Sequence, residues 1–161
     1  MAYWNAYTPT NRVILAGGPL EEIGEDLTVI GTVTYAKAGV LVAYNTSDDD
    51  VIVCAYNGKP IGVLGWERSN TLTRPSTITT AYAAGDRAFV HEAPGIVVRG
   101  WLGAKTTSAI TKGDKLYTDD NGMVCNDTSG TSFVGIALES IASTGAGSTA
   151  RVKFLYMGAG E

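Results

Sequence analysis

Short apolar runs, each ended by Gly, Asn or Asp, set the rhythm of this chain. The runs at 27–30, 40–44, 51–55, 87–91, 96–102, 115–118, 133–139 and 150–156 are rich in β-branched and aromatic residues, and each reads as a strand. The stretch 13–16 reads as a buried strand broken by Gly17-Gly18-Pro19, and Thr32-Val33-Thr34-Tyr35 alternates in strand fashion. Two dipeptides, Asn57-Gly58 and Asn121-Gly122, carry the chemistry of a tight hairpin turn, which needs positive φ. Residues 45–50 form a polar connection between two strands, and 70–80 is a Thr/Ser-rich link containing Arg74-Pro75. No window supplies the Glu, Lys, Leu and Gln of a long helix, so helix is confined to a turn near Ser108 or Leu20-Glu21-Glu22. Many short strands at close spacing predict an all-β fold of compact barrel or sandwich modules.

The pattern is also duplicated. Tyr35-Ala36-Lys37-Ala38-Gly39-Val40-Leu41 is matched by Ile110-Thr111-Lys112-Gly113-Asp114-Lys115-Leu116, with Lys and Leu in the same places. Pro60-Ile61-Gly62-Val63-Leu64 is matched by Phe133-Val134-Gly135-Ile136-Ala137. Ala84-Gly85-Asp86-Arg87-Ala88-Phe89-Val90 is matched by Ala146-Gly147-Ser148-Thr149-Ala150-Arg151-Val152. Three paired landmarks in one order predict two related halves, placed at 15–80 and 81–161. They follow an extended N-terminal arm at 1–14, which is polar and aromatic without periodicity. Tyr3, Trp4 and Tyr7 are unusual in a purely solvated tail, because aromatic rings seek burial. The arm either folds back on its own domain or orders against a neighbouring subunit.

Composition narrows the function. The 161 residues are 45% hydrophobic and 17% charged, with a net charge of −4 and scattered Lys and Arg. A nucleic-acid partner would need a basic face to displace phosphate counterions, so none is expected. No stretch approaches the ~20 apolar residues of a membrane span, and no signal sequence is visible, so synthesis in a cytoplasm is expected. Cys54 and Cys125 both lie in apolar strand contexts and read as buried small hydrophobes.

Catalytic machinery is hard to assemble from these residues. His91 is the single histidine, and no Gly-x-Ser-x-Gly signature accompanies it. The acidic runs Asp48-Asp49-Asp50 and Asp119-Asp120 lack the spacing of a calcium loop and read as solvated turns. Gly17-Gly18-Pro19 lacks the Lys and Ser/Thr of a phosphate loop. The expectation is therefore no enzyme, no catalytic residue, no metal and no cofactor. Trp66, Trp101 and Tyr82 offer a conceivable sugar platform, but core or inter-subunit packing explains Trp66 and Trp101 as well.

The chain resembles the capsid cement, decoration or head-stabilising proteins of tailed viruses. The resemblance rests on Ile110-Thr111-Lys112-Gly113-Asp114-Lys115-Leu116-Tyr117, on Phe133-Val134-Gly135-Ile136-Ala137-Leu138-Glu139, and on Ala146-Gly147-Ser148-Thr149-Ala150-Arg151-Val152-Lys153-Phe154. It implies β-tulip or related barrel modules, assembling as homotrimers over capsid-subunit junctions. The implied partners are the major capsid protein and the chain itself, and the implied location is the outer surface of the virion capsid. On this reading Tyr3, Trp4, Tyr7, Pro9 and Arg12 contact the capsid or a neighbour, and Trp66 and Trp101 pack between subunits. The alternative is a carbohydrate- or receptor-binding β module of a virion or cell surface.

Overall fold

The computed structural model describes residues 14–16, 23–47, 49–66, 69–106, 108–129, 132–142 and 150–158. Eleven strands lie among them: β1 (Ile14–Ala16), β2 (Gly24–Val29), β3 (Leu41–Tyr44), β4 (Asp50–Val53), β5 (Gly62–Leu64), β6 (Arg87–His91), β7 (Val97–Trp101), β8 (Lys115–Thr118), β9 (Val124–Cys125), β10 (Phe133–Ala137) and β11 (Arg151–Tyr156). The protein is all-β. Strands β2-β4-β3-β5-β6 close a barrel, and β1-β7-β11-β10-β8-β9 form a six-stranded sheet.

The two strand sets are built alike. Starting from β2, the barrel runs β2-β6-β5-β3-β4; starting from β7, the sheet runs β7-β11-β10-β8-β9. Every neighbour in one order has its counterpart in the other. In the barrel, parallel pairing of Thr28 with Asp50 and Val29 with Val51 joins β2 to β4. In the sheet, the same place holds a single parallel bridge between Leu102 and Val124. The paired sequence landmarks fall on β3 and β8, β5 and β10, and β6 and β11. Gly62 in β5 and Gly135 in β10 play the same part: a methyl group on either would collide with a carbonyl of the adjacent strand, His91 or Leu155. The strands of the barrel extend to His91, so the 70–80 link joins β5 to β6 within it. β1 precedes the barrel in sequence yet pairs with β7 in the sheet.

Side-chain alternation explains the packing. In β11, Val152, Phe154 and Tyr156 are buried while Arg151, Lys153 and Leu155 are half-exposed, as expected for a strand with one core face. β3 and β5 are apolar on both faces. Val42 and Leu64 point into the barrel core with Leu27, Val29 and Val90, whereas Leu41 and Val63 pack with Val98, Leu116, Val134 and Phe154 of the sheet. The continuous runs Val40-Leu41-Val42 and Gly62-Val63-Leu64 thus mark strands caught between two cores. Trp101 makes the reverse crossing, from the end of β7 into the barrel core.

Two local expectations are corrected. Val33–Tyr35 is a 3-10 turn and not a strand, with the Ala36 N–H donating to the Val33 carbonyl at 2.9 Å. Gly31, at φ +77°, follows the end of β2, and the β-branched residues after it form this tight turn instead of pairing as a strand. Asn57-Gly58 does form a turn, with Asn57 at φ +58°, but it links β4 to β5, which are separated by β3. Asn121-Gly122 joins the antiparallel neighbours β8 and β9, within a 3-10 turn at Asp120–Gly122. Ser108 lies in a bend, and Leu20, Glu21 and Glu22 fall outside the described residues.

Candidate docking surfaces

Two short pieces on each side make the polar part of the junction between barrel and sheet. The barrel offers 38–41 and 53–54; the sheet offers 99–101 and the β8–β9 turn. The Trp101 indole N–H donates to the Ala38 carbonyl at 2.9 Å, and Lys37 Nζ and the Arg151 guanidinium lie 5.5 and 5.1 Å from its ring centroid. The Gly122 N–H donates to the Cys54 carbonyl at 2.7 Å. The turn is held from inside by the buried Asp119 carboxylate, which accepts from the backbone N–H groups of Asp120 at 2.6 Å and Lys105 at 2.7 Å. Lys105 then pairs with Asp120 at 3.4 Å and sits 4.5 Å from the Tyr56 ring centroid.

Two open grooves flank strand ends. One, of about 380 Å³, runs along the junction between Ile30, Tyr35, Ile52, Ala55, Asp120 and Asn121. The other, of about 410 Å³, lies on the sheet between Ser108, Gly113, Asp114, Lys115, Tyr117 and Asn126. At the far end of the barrel, the Tyr44 hydroxyl donates to Glu25 Oε1 at 3.1 Å and lies 3.5 Å from Glu92 Oε1. Partial burial and these two carboxylates push the Tyr44 phenol up to about 12, and burial with the Glu25 charge raises Glu92.

Of the residues singled out in the sequence, Tyr3, Trp4, Tyr7, Pro9 and Arg12 lie outside the described residues. Trp101 is 6% exposed, and its packing is within the chain. Trp66 is half-buried, donates from Nε1 to the Pro75 carbonyl at 3.0 Å, and is covered by the Arg74 guanidinium 4.2 Å from its ring centroid. Tyr82 is buried, its hydroxyl donating to the Gly65 carbonyl at 2.8 Å, so these three rings do not form a flat sugar platform. His91 is buried edge-on to Phe89, with ring centroids 4.9 Å apart. Among the described residues no cluster of three or more metal-capable side chains occurs. Leu72, 90% exposed in the loop between β5 and β6, is a surface apolar residue that the sequence reading passed over. A lone leucine inside the polar run Asn70-Thr71-Leu72-Thr73 was the available signal.

Cys54 and Cys125 are free and buried, and burial pushes both thiols up to about 11. The unfolded chain loses these protons first, near the ordinary thiol value of 9. Their contribution is therefore complete below about pH 9 and is lost as pH rises towards 11, with Tyr44 acting in the same direction up to about 12. Urea midpoints should fall between pH 9 and 11, and a Cys54→Ala/Cys125→Ala variant should show a shallower decline. An unchanged slope would remove the thiols as its cause.

A family model described as structural cement protein (E217 gp24/Pam3 gp6) matches residues 12–155. The chain belongs to this phage structural cement protein family. The fold of this cement protein is similar to the crystal structure of the head fiber gp8.5 N base of bacteriophage phi29, at 20% identity and a TM-score of 0.52, covering 86% of this chain and 98% of that one. No curated protein matches the chain. The family is a structural one, and membership places the cement protein in the virion capsid. No helix among the described residues is long and apolar enough to cross a membrane.

Proposed function

We propose that this cement protein binds the outer surface of an assembled icosahedral capsid as a homotrimer and stabilises the shell by clamping neighbouring major capsid subunits. The observation that carries the reading is the family match, which spans both strand sets. The physical picture agrees with it. Two strand sets that share apolar packing make a stiff body, and binding at many equivalent shell sites gains from multivalency once subunits associate. β-Tulip kinship of the modules, and the division of the chain into an arm and two modules, belong to the same reading.

The aromatic segment ahead of β1 is the proposed clamp. The thirteen residues ahead of β1 span at most about 45 Å when extended, enough to cross a subunit boundary and add backbone hydrogen bonds to an exposed sheet edge. The full chain is expected to co-sediment with expanded shells and to raise their resistance to disruption. Removing residues 1–12 should leave the circular dichroism spectrum and the urea midpoint unchanged and abolish co-sedimentation. Unchanged shell occupancy after truncation would refute the clamp, and failure of the full chain to bind shells would refute the capsid reading.

A further inference from the structure

Because the two strand sets share one neighbour order, positions in one map onto positions in the other. The sequence repeat aligns Leu41 with Leu116. The antiparallel pairs Val42 with Val53 and Tyr117 with Cys125 then place Asn126 where the barrel has Cys54. The barrel surface covered at the junction, 38–41 and 53–54, therefore has as its counterpart 113–116 and 125–126 of the sheet. In the barrel this surface receives the β8–β9 turn, through the Gly122 N–H and the Cys54 carbonyl. In the sheet the counterpart is the open groove of about 410 Å³ between Gly113, Asp114, Lys115 and Asn126.

The counterpart of the β8–β9 turn is the β3–β4 hairpin end. It is a formed turn, with Asn45 N–H donating to the Asp50 carbonyl at 3.0 Å and Asp50 N–H to the Ser47 carbonyl at 3.2 Å. It lies at the opposite end of β3 and β4 from the junction, where Leu41 and Cys54 meet the sheet, so it faces away from its own groove. Charge agrees with the pairing. Asp49 is exposed and Asp50 half-exposed at the hairpin, with exposed Glu25 and Asp26 on the neighbouring strand β2; Lys112 and Lys115 are exposed at the groove. The carboxylate within the groove, Asp114, is engaged by the Thr111 N–H at 2.8 Å.

We propose that the groove between Gly113–Lys115 and Asn126 receives the β3–β4 hairpin end of a second copy, repeating between chains the contact that the β8–β9 turn makes within one. The Asn126 carbonyl takes the place of the Cys54 carbonyl as acceptor, and Lys115 faces Asp49. The contact is head-to-tail, which excludes a two-fold dimer and gives a ring, such as the trimer, when the rotation closes. This rests on the self-association in the proposed function and assigns its surface.

The test uses the purified full chain in sedimentation velocity. The wild type is expected to associate, Lys115→Glu and Asp49→Lys to weaken association at least tenfold each, and the double variant to recover it. Mixing Asp49→Cys with Lys115→Cys under oxidation should give a cross-linked pair that neither variant gives alone, the native thiols being buried. A monomeric wild type, intact association in the single variants, no recovery in the double variant, or absence of the mixed cross-link overturns the proposal. Shell co-sedimentation of the same samples separates the two readings. Association as described without shell binding defeats the capsid reading alone, and shell binding by a monomer defeats this inference alone. If Lys115→Glu lowers shell occupancy while self-association is unchanged, the groove belongs to an acidic segment of the capsid protein and the inference fails.

Discussion

Replacing Trp101 with alanine is expected to cost about 3–5 kcal/mol of folding stability, the usual range for removing a buried large aromatic. The ring leaves β7 and ends among Leu27, Val40, Leu64 and Val90 of the barrel. Truncation opens a void that residues of two strand sets would have to fill together. It also removes the indole donor from the Ala38 carbonyl and the ring from beneath Lys37 and Arg151. Trp101→Phe keeps most of the apolar area and loses the donor, so a cost of about 1–2 kcal/mol is expected. Trp66→Ala, which empties a half-exposed position beside Arg74, should cost less than Trp101→Ala. Urea unfolding followed by far-ultraviolet circular dichroism measures all three. A loss below about 1 kcal/mol for Trp101→Ala would show that the junction does not depend on this ring.

The second large effect is expected at Gly122, where alanine should cost about 2–4 kcal/mol. The residue sits at φ +67°, a backbone region that costs an L side chain about 1–2 kcal/mol. An added methyl group would also collide with the Leu41 carbonyl and crowd Val40 and Val53, and overpacking typically adds about 1–3 kcal/mol. Hydrogen exchange gives a local readout: the Gly122 amide, bonded to the Cys54 carbonyl, should lose protection in a variant that lifts the turn. Gly122 and Trp101 are two anchors of one junction, so the double variant should cost less than the sum of the single ones. Full additivity would mean that the turn and the ring hold the barrel and sheet independently. Gly113, whose added methyl group meets nothing nearby but which also has positive φ, is the control that isolates the backbone cost from the collision.

Much of the fold was legible because its signals are local. β6, β8 and β11 fall where β-branched and apolar residues cluster between Gly and Asp turns. The repeat was legible because Gly62 and Gly135 are required by the close approach of a neighbouring backbone, which leaves a mark in the sequence. What the local pattern could not convey is where strands go once formed. β1 crosses from in front of the barrel to the edge of β7, and β6 returns to β2 across the 70–80 loop; neither pairing is encoded by nearby residues. Val33–Tyr35 misled because β-branched residues fit a bend when tertiary packing puts them there. The tryptophans illustrate the limit for sites. Their apolar context marks them as packing residues, but the burial of Trp101 in the barrel core arises from contacts distant in sequence, and the Arg74 cover over Trp66 from the path of the loop that joins them. The groove around Lys115 was equally invisible, since it exists only as the empty equivalent of an occupied surface.

The position of β7 has a mechanical consequence. β1 and β11 are both antiparallel to it, on opposite sides, and so run parallel to each other. Ile14 pairs with Val98 and Leu155 with Val97, so the start of β1 and the end of β11 lie near the same end of β7, and pulling Ile14 away from Tyr156 along the strand axis loads both ladders of β7. The load runs along both ladders in shear, and the β1–β7 ladder, with two register pairs and a bulge, yields before the five-pair ladder from Trp101–Arg151 to Val97–Leu155. Tension transmitted from the N-terminal side of the protein therefore pulls β1 away first and leaves the β7–β11 ladder paired, so β1 acts as a mechanical fuse for the sheet.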